Sequence, residues 1–266
     1  VPDEERFSED FIRHLVLNSI RSYRNKHKNK YGEIVICTDF HSSWRKEVFP
    51  FYKAHRKVAR EKQKKESGLD WSALFDTISR IIVEIDMFFP YKVIRVAHAE
   101  GDDVIAVLAR SFKEPTLIVS SDKDFSQLHK HKWVKQWSPL KSKMVNGIDP
   151  YKYLKEHTIR GDKGDGIPNA LSADDCIVEG VRQKAISKKK VATWLELKPK
   201  DFNDDLKRGW DRNKVLIDFD CIPKKINDGI LEQYNRKKEY QHGQLMNYFI
   251  KNRLKYLMEN MGDFTK

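Results

Sequence analysis

Two hydrophobic patterns alternate along the chain: apolar residues three and four apart, and short runs of consecutive β-branched residues. Phe11, Ile12, Leu15, Val16 and Ile20 fall at helical spacing and predict a helix over Ser8 to Arg24, with Ser8 as its cap. Leu74, Ile78, Ile81, Ile82 and Ile85 predict a second from Trp71 to Met87, stopped by Phe88-Phe-Pro-Tyr91. A third opens at Glu100 and runs to Phe112 through Val104, Ile105, Val107 and Leu108. The β-branched runs Glu33 to Asp39, Tyr91 to Ala97 and Pro115 to Ser121 read as buried parallel strands, each followed by polar or helical sequence. Lys132 to Pro139 alternates like a strand, with Met144-Val145 as its hairpin partner.

This βα alternation predicts an α/β fold: a parallel-type central sheet flanked by helices, over residues 1–157. From 158 to 266 the pattern changes to a smaller helical lobe and tail. Val191, Trp194 and Leu197 give a short helical pattern behind Lys188-Lys189-Lys190, and residues 230–258 are helical, with Tyr240, Tyr248 and Phe249 among lysines. Lys214 to Asp220 fits either a helix or a strand. No internal repeat is present in the sequence.

The predicted strands end on acids. Asp39 closes the first, Glu100, Asp102 and Asp103 follow the second, and Asp122-Lys123-Asp124 follows the third. Single acids at such places are ordinary helix caps or turn residues. Three successive βα units, however, carry their strand ends to one edge of a sheet, where α/β proteins place their sites. Gly161-Asp-Lys-Gly-Asp-Gly166 adds Asp162 and Asp165 in a glycine-rich turn. Asp218 and Asp220 are left out, because no glycine turn or amphipathic helix marks them as belonging to that edge.

Charge sharpens this picture. The 266 residues carry a formal net charge of +12, so a polyanionic partner is expected. Residues 40–70 are basic and poor in apolar residues after Tyr52, with Lys46, Lys53, Arg56, Lys57 and Arg60 among aromatics and ending at Ser67-Gly68. They read as a basic flap beside the acid edge or as a solvated helix. Eight carboxylates crowded together in so basic a protein require cations. Oxygen donors without paired His or Cys select hard ions, Mg²⁺ with Mn²⁺ as the alternative, and their number allows two. Two ions about 3.5 to 4 Å apart suit phosphodiester hydrolysis, lowering the pKa of the attacking water and stabilising the attacking and leaving oxygens. Basic residues would hold the backbone without reading sequence.

Cys37, Cys176 and Cys221 are scattered and odd in number, which predicts free thiols, no zinc site and a reducing, cytoplasmic compartment. No apolar run approaches a membrane span, and Val1 to Arg6 does not resemble a signal peptide, so a soluble protein without membrane contact is expected. No heptads point to self-association, and a monomer is expected.

Five motifs in register carry a resemblance: Asp39-Phe-His-Ser-Ser-Trp-Arg45, Phe51-Tyr-Lys-Ala-His-Arg56, Ala99-Glu-Gly-Asp-Asp-Val-Ile-Ala106, Ser120-Ser-Asp-Lys-Asp-Phe125 and Gly161-Asp-Lys-Gly-Asp-Gly166. In this order they resemble the 5′ nuclease (flap endonuclease) family, with Val134 to Pro139 and Val215 to Asp220 most similar to its bacteriophage ribonuclease H branch. The resemblance implies a PIN-like nuclease fold and a metal-dependent 5′-3′ exonuclease, flap endonuclease and ribonuclease H activity. It implies a first metal on Asp39, Glu100, Asp102 and Asp103 and a second on Asp122, Asp124, Asp162 and Asp165, with Asp39, Asp102, Asp122 and Asp124 at the catalytic centre. Lys53, Arg56, Lys57 and Arg60 would lie in the family's arch, and Lys188, Lys189 and Lys190 would meet nucleic acid from the helical lobe.

The segment after Asp165 would correspond to a helix-three-turn-helix, although Pro168 stands where that element's hairpin is usual. The family also has a strand and a metal-binding Asp upstream of Val1, so impaired cleavage is expected of the sequence as it stands. The implied partners are branched or flapped DNA and RNA-DNA hybrid, with a single-stranded DNA-binding protein or a sliding clamp. The implied role is primer removal in replication.

Two rival readings remain at this level. Asp122-Lys123-Asp124 mimics the Asp-x-Asp of haloacid dehalogenase-type phosphatases, but Phe125-Ser126 does not continue that motif. The other rival is a non-catalytic binder of branched DNA that uses the basic arch and tail.

Overall fold

The computed structural model describes residues 8–67 and 70–265. The opening residues Val1 to Arg6 and Gly68, at which the basic segment was expected to end, lie outside the described residues. The chain forms two compact units, each assembled from separated stretches. One is residues 1–38, 63–94 and 232–266, and the other residues 39–62 and 95–231.

In the first unit, α1 (Glu9–Tyr31) starts where Ser8 accepts a hydrogen bond from the Phe11 amide at 3.3 Å, as its capping position predicts. It continues seven residues beyond Arg24, past the last of the periodic apolar positions. Arg24 explains the extension: its buried guanidinium donates to Glu33 at 3.0 and 2.8 Å and to the Asp263 carbonyl at 2.6 Å. Gly32, at φ +77°, then closes the helix. β1 (Val35–Cys37) and β2 (Lys92–Ile94) pair in parallel, Ile36 opposite Val93. α4 (Trp71–Phe88), capped by Asp70, buries Ile81 and Ile85. They meet Leu17, Phe89, Tyr91, Leu245, Tyr248 and Phe249 in one core cluster. The tail thus supplies core through α10 (His242–Lys251), α11 (Lys255–Glu259) and α12 (Gly262–Thr265).

The second unit holds the acid-bearing turns. It opens with the short α2 (Arg45–Val48), and α3 (His55–Ser67) starts within it. α5 (Gly101–Ser111) buries Val104, Ala106, Val107 and Ala109. β3 (Thr116–Val119) pairs in parallel with β4 (Val134–Ser138), and β5 (Lys143–Met144) returns antiparallel, with Trp137 opposite Met144. After β3 the chain forms a 3-10 helix from Asp124 to Lys130.

α6 (Pro150–Arg160) and α7 (Lys188–Glu196) are separated by turns and extended chain, with no helix between residues 161 and 187. Arg212 holds the front of this segment, donating to the Pro168 and Asn169 carbonyls at 2.8 and 3.1 Å. It belongs to α8 (Asp204–Ile217), so the stretch from Lys214 is helical up to Ile217 and then turns into a 3-10 helix. There Asp218 caps the turn, and Asp220 pairs with Lys130 and, at 3.6 Å, with Arg110. α9 (Lys224–Asn235) follows, burying Ile226 and Ile230. Among the described residues no helix is long and apolar enough to cross a membrane.

Candidate metal centre and nucleic-acid interface

Within the second unit the acids approach one another from separate elements. Asp39 accepts from the Gly101 amide at 2.6 Å, which ties the end of the first strand's loop to the N-terminus of α5. Asp102, in the first turn of that helix, is pushed up to about 7 by burial, Asp122, Asp39 and Glu100, with Lys53 opposing. Asp122 accepts from the Asp124 amide at 2.9 Å, and Gln136 of β4 steadies this turn by donating to the Ser120 and Asp122 carbonyls at 2.9 and 2.6 Å. Burial also pushes Asp124 up, with Asp122 and Asp162 adding to the shift while His157 and Tyr153 oppose it.

Glycines shape the last acid turn. Gly161 ends α6 at φ +68°, and a Cβ there would stand 2.4 Å from the Ile167 and Pro168 carbonyl oxygens. Asp162 accepts from the Asp165 amide at 3.1 Å. Gly166, at φ +74°, lies where a Cβ would come within 3.0 Å of the Phe51 carbonyl. The acid turn therefore sits directly on the basic turn, whose Lys53 amide donates to the Asp165 carbonyl at 2.8 Å.

Cations already answer three of the acids, Glu100, Asp165 and Asp103. Glu100 accepts from Lys53 at 2.5 Å, Arg45 at 2.8 Å, Tyr52 at 2.9 Å and Ser43 at 3.1 Å. Burial would raise its pKa, but Lys53 and Arg45 outweigh that and hold it low. Asp165 accepts from Arg56 at 2.6 Å and lies 2.8 Å from the Tyr52 hydroxyl, whose single proton is shared between Asp165 and Glu100.

Asp103 departs from the expectation that it holds a metal. Its side chain is fully buried, paired with Arg45 at 2.8 Å, and it accepts from Trp44 Nε1 at 3.1 Å and from the Glu100 amide at 3.0 Å. The ordinary helix-start role applies here, because the carboxylate turns inward and is neutralised by a guanidinium. Asp102, one residue earlier, faces the other acids instead.

His157 was missed. Four residues after Tyr153 on α6, it stacks on that ring at 5.5 Å, and its Nε2 lies 3.5 Å from Asp124 and 3.4 Å from Asp162. Tyr153 itself donates to Asp124 at 2.8 Å. The signal was available: an aromatic and an imidazole at helical spacing, with Asp162 five residues on. These side chains line a cleft of about 580 Å³ with Asp122 and Arg160.

The donor set fits hard divalent cations. Asp102 is pushed up by burial beside Asp122, Asp39 and Glu100, and one ligand atom each of Asp124, His157 and Asp162 lies within 4.8 Å of the others.

Among the expected nucleic-acid contacts, Lys53 and Arg56 are half-buried against these acids, whereas Lys57 and Arg60 lie on the exposed part of α3. That segment is thus a solvated basic helix in the structure. Lys188, Lys189 and Lys190 are exposed in the first turn of α7, which is anchored by Val191 against Ile159, Phe202 and Trp210.

Comparison with known proteins assigns this arrangement. A family profile described as "5'-3' exonuclease, N-terminal resolvase-like domain" matches residues 11–158, and one described as "T4 RNase H, C terminal" matches residues 152–264. The chain is 35% identical to ribonuclease H of Enterobacteria phage T4, over 99% of this chain and 90% of that protein. It is also 35% identical to flap endonuclease Xni of Shewanella sp. (strain MR-4), over 47% of each chain, so that match spans about half of either protein. The fold is similar to that of the bacteriophage T5 flap endonuclease solved in a pseudo-enzyme-product complex with DNA and metal ions. The TM-score is 0.60 at 17% identity, covering 86% of this chain and 93% of the other. These matches displace the phosphatase reading, whose Asp-x-Asp is here the Asp122 turn of a nuclease. The chain belongs to the 5′-3′ exonuclease family and, within it, is similar along almost its whole length to a phage ribonuclease H.

Proposed function

We propose that the chain hydrolyses phosphodiesters near the 5′ ends of flapped or branched DNA and of RNA-DNA hybrids, as in primer removal during replication. In this reading Asp39, Glu100 and Asp102 hold one Mg²⁺, and Asp122, Asp124, Asp162 and Asp165 hold a second. The observation that supports it most is Asp102, pushed up to about 7 by burial beside Asp122, Asp39 and Glu100. A divalent ion offsets both the burial of that carboxylate and the repulsion from its neighbours. A pair of such ions, when bound, activates water and stabilises charge on the attacking and leaving oxygens.

The chain's own side chains do the rest. Lys53 and Arg56, paired with Glu100 and Asp165 at 2.5 and 2.6 Å, exchange those partners for a phosphate once cations occupy the acids. Tyr52, between Glu100 and Asp165, keeps the two carboxylates at a fixed separation. Lys57, Arg60, Lys188, Lys189 and Lys190 add sequence-independent backbone contacts. The protein works as a monomer, and a single-stranded DNA-binding protein or a sliding clamp would bring it to its substrate.

The test is cleavage of a 5′-labelled flap and of an RNA-DNA hybrid in Mg²⁺, beside Asp122→Asn. Cation-dependent release of short 5′ products, lost in the variant while DNA binding persists, is the expected result. Binding without cleavage by the wild type would favour a non-catalytic branched-DNA binder.

A further inference from the structure

We propose that His157 is a metal ligand, and that Asp124, His157 and Asp162 form a mixed nitrogen and oxygen centre that selects a first-row transition ion such as Mn²⁺ over Mg²⁺. The inference rests on the metal-dependent nuclease reading and makes its second ion site different in kind from its first. Three observations carry it.

First, one ligand atom from each of the three residues can be chosen so that all lie within 4.8 Å of one another. His157 Nε2 stands 3.5 Å from Asp124 and 3.4 Å from Asp162. For metal-ligand bonds of about 2.1 Å the cis edge of an octahedral donor set is about 3.0 Å, so two of the three edges lie within about 0.5 Å of one.

Second, Nε2 is fully shielded from solvent and faces two carboxylates, Asp124 and Asp162, at ion-pair distance. A buried imidazole nitrogen between two carboxylates is held there by a proton and can exchange that proton for an ion.

Third, the ring is held in place before any ion arrives. It lies nearly parallel to Tyr153, at 11°, one helical turn away, while the Tyr153 hydroxyl fixes Asp124 at 2.8 Å. Two residues of α6 thus orient the imidazole and one of the carboxylates it faces.

Chemistry then sets the preference. A neutral imidazole adds affinity for ions of the first transition row, least for Mn²⁺ and more for those after it, whereas Mg²⁺ favours oxygen donors and retained water. The first site, Asp39, Glu100 and Asp102, offers oxygen alone, so one protein would carry a Mg²⁺-type site and a transition-ion site side by side.

Pulsed EPR on the full chain loaded with Mn²⁺ alone tests this. Modulation from a directly bound ¹⁴N is expected in the wild type and in Tyr153→Phe, and is expected to vanish in His157→Gln. Calorimetric titration of His157→Gln should show Mn²⁺ affinity reduced by at least ~10-fold with Mg²⁺ affinity nearly unchanged. Bound Mn²⁺ without nitrogen modulation in the wild type would overturn the proposal and leave the nuclease reading standing. Failure of the wild type to bind any divalent ion would overturn both.

Discussion

Arg45 and Asp103 form a buried ion pair, 2.8 Å between guanidinium and carboxylate, in the first turn of α5, where the neighbouring residue, Asp102, faces the acidic rim. Adjacent aspartates therefore have opposite work, one neutralised for structure and one left repelled. Removing one partner of a buried pair leaves the other charge without compensation. Asp103→Ala should lower stability by about 3 kcal/mol in urea unfolding, with Arg45 keeping Glu100 as its remaining partner. Divalent-ion affinity of the folded variant should stay within a few-fold of wild type, a result a metal-binding Asp103 would not give.

Asp102→Asn should do the reverse. Without a cation, removing a carboxylate that burial and three neighbouring acids push up to about 7 should stabilise the protein, on the order of 2 kcal/mol at pH 7. Saturating Mg²⁺ should raise the Tm of the wild type by several degrees and that of the variant by much less. Differential scanning fluorimetry with and without the cation reads both effects.

Glu84 gives a pH signature in the first unit. Burial would raise its pKa, but hydrogen bonds from Arg13 at 2.9 Å and the Tyr248 hydroxyl at 2.7 Å outweigh it and hold the carboxyl low. A carboxylate whose folded pKa is depressed contributes stability above its unfolded value, and that contribution is lost as pH falls through the folded value. The wild type's urea midpoint should therefore exceed that of Glu84→Gln at pH 7, and the gap should close as pH falls below about 4.

Gly161→Ala places a methyl 2.4 Å from two carbonyl oxygens at a φ of +68°. Both the left-handed strain and the backbone clash act in one direction, so a loss of at least ~2 kcal/mol is expected from chemical unfolding. Because the turn it opens carries Asp162 and Asp165, cation affinity should fall with it.

Much of this arrangement was legible in the residue pattern, for identifiable reasons. β-branched runs located all three parallel-pairing strands that precede acids, because a short apolar run bounded by polar sequence marks such a strand even where, as here, its residues are mostly only partly buried. Met144 opposite Trp137 followed from the alternation around Val134 to Ser138. What failed was local neutralisation. Asp102 and Asp103 are indistinguishable in sequence, and only the arrival of Arg45 from 58 residues upstream turns one into a structural partner. The extension of α1 to Tyr31 was hidden similarly, since Arg24 is anchored by Glu33 and by the Asp263 carbonyl, 239 positions away. His157 is not marked by the pattern of acids, because a single imidazole on a helix carries no spacing signal of its own, although Asp162 closely follows it.

The central claim is that carboxylates from separate turns converge to hold divalent ions, and the stoichiometry of binding measures it most directly. Equilibrium titration of the wild type with Mn²⁺ should give two ions per chain, falling to one in Asp162→Asn and to one in Asp102→Asn. No binding by the folded wild type, or unchanged stoichiometry in both variants, would contradict it.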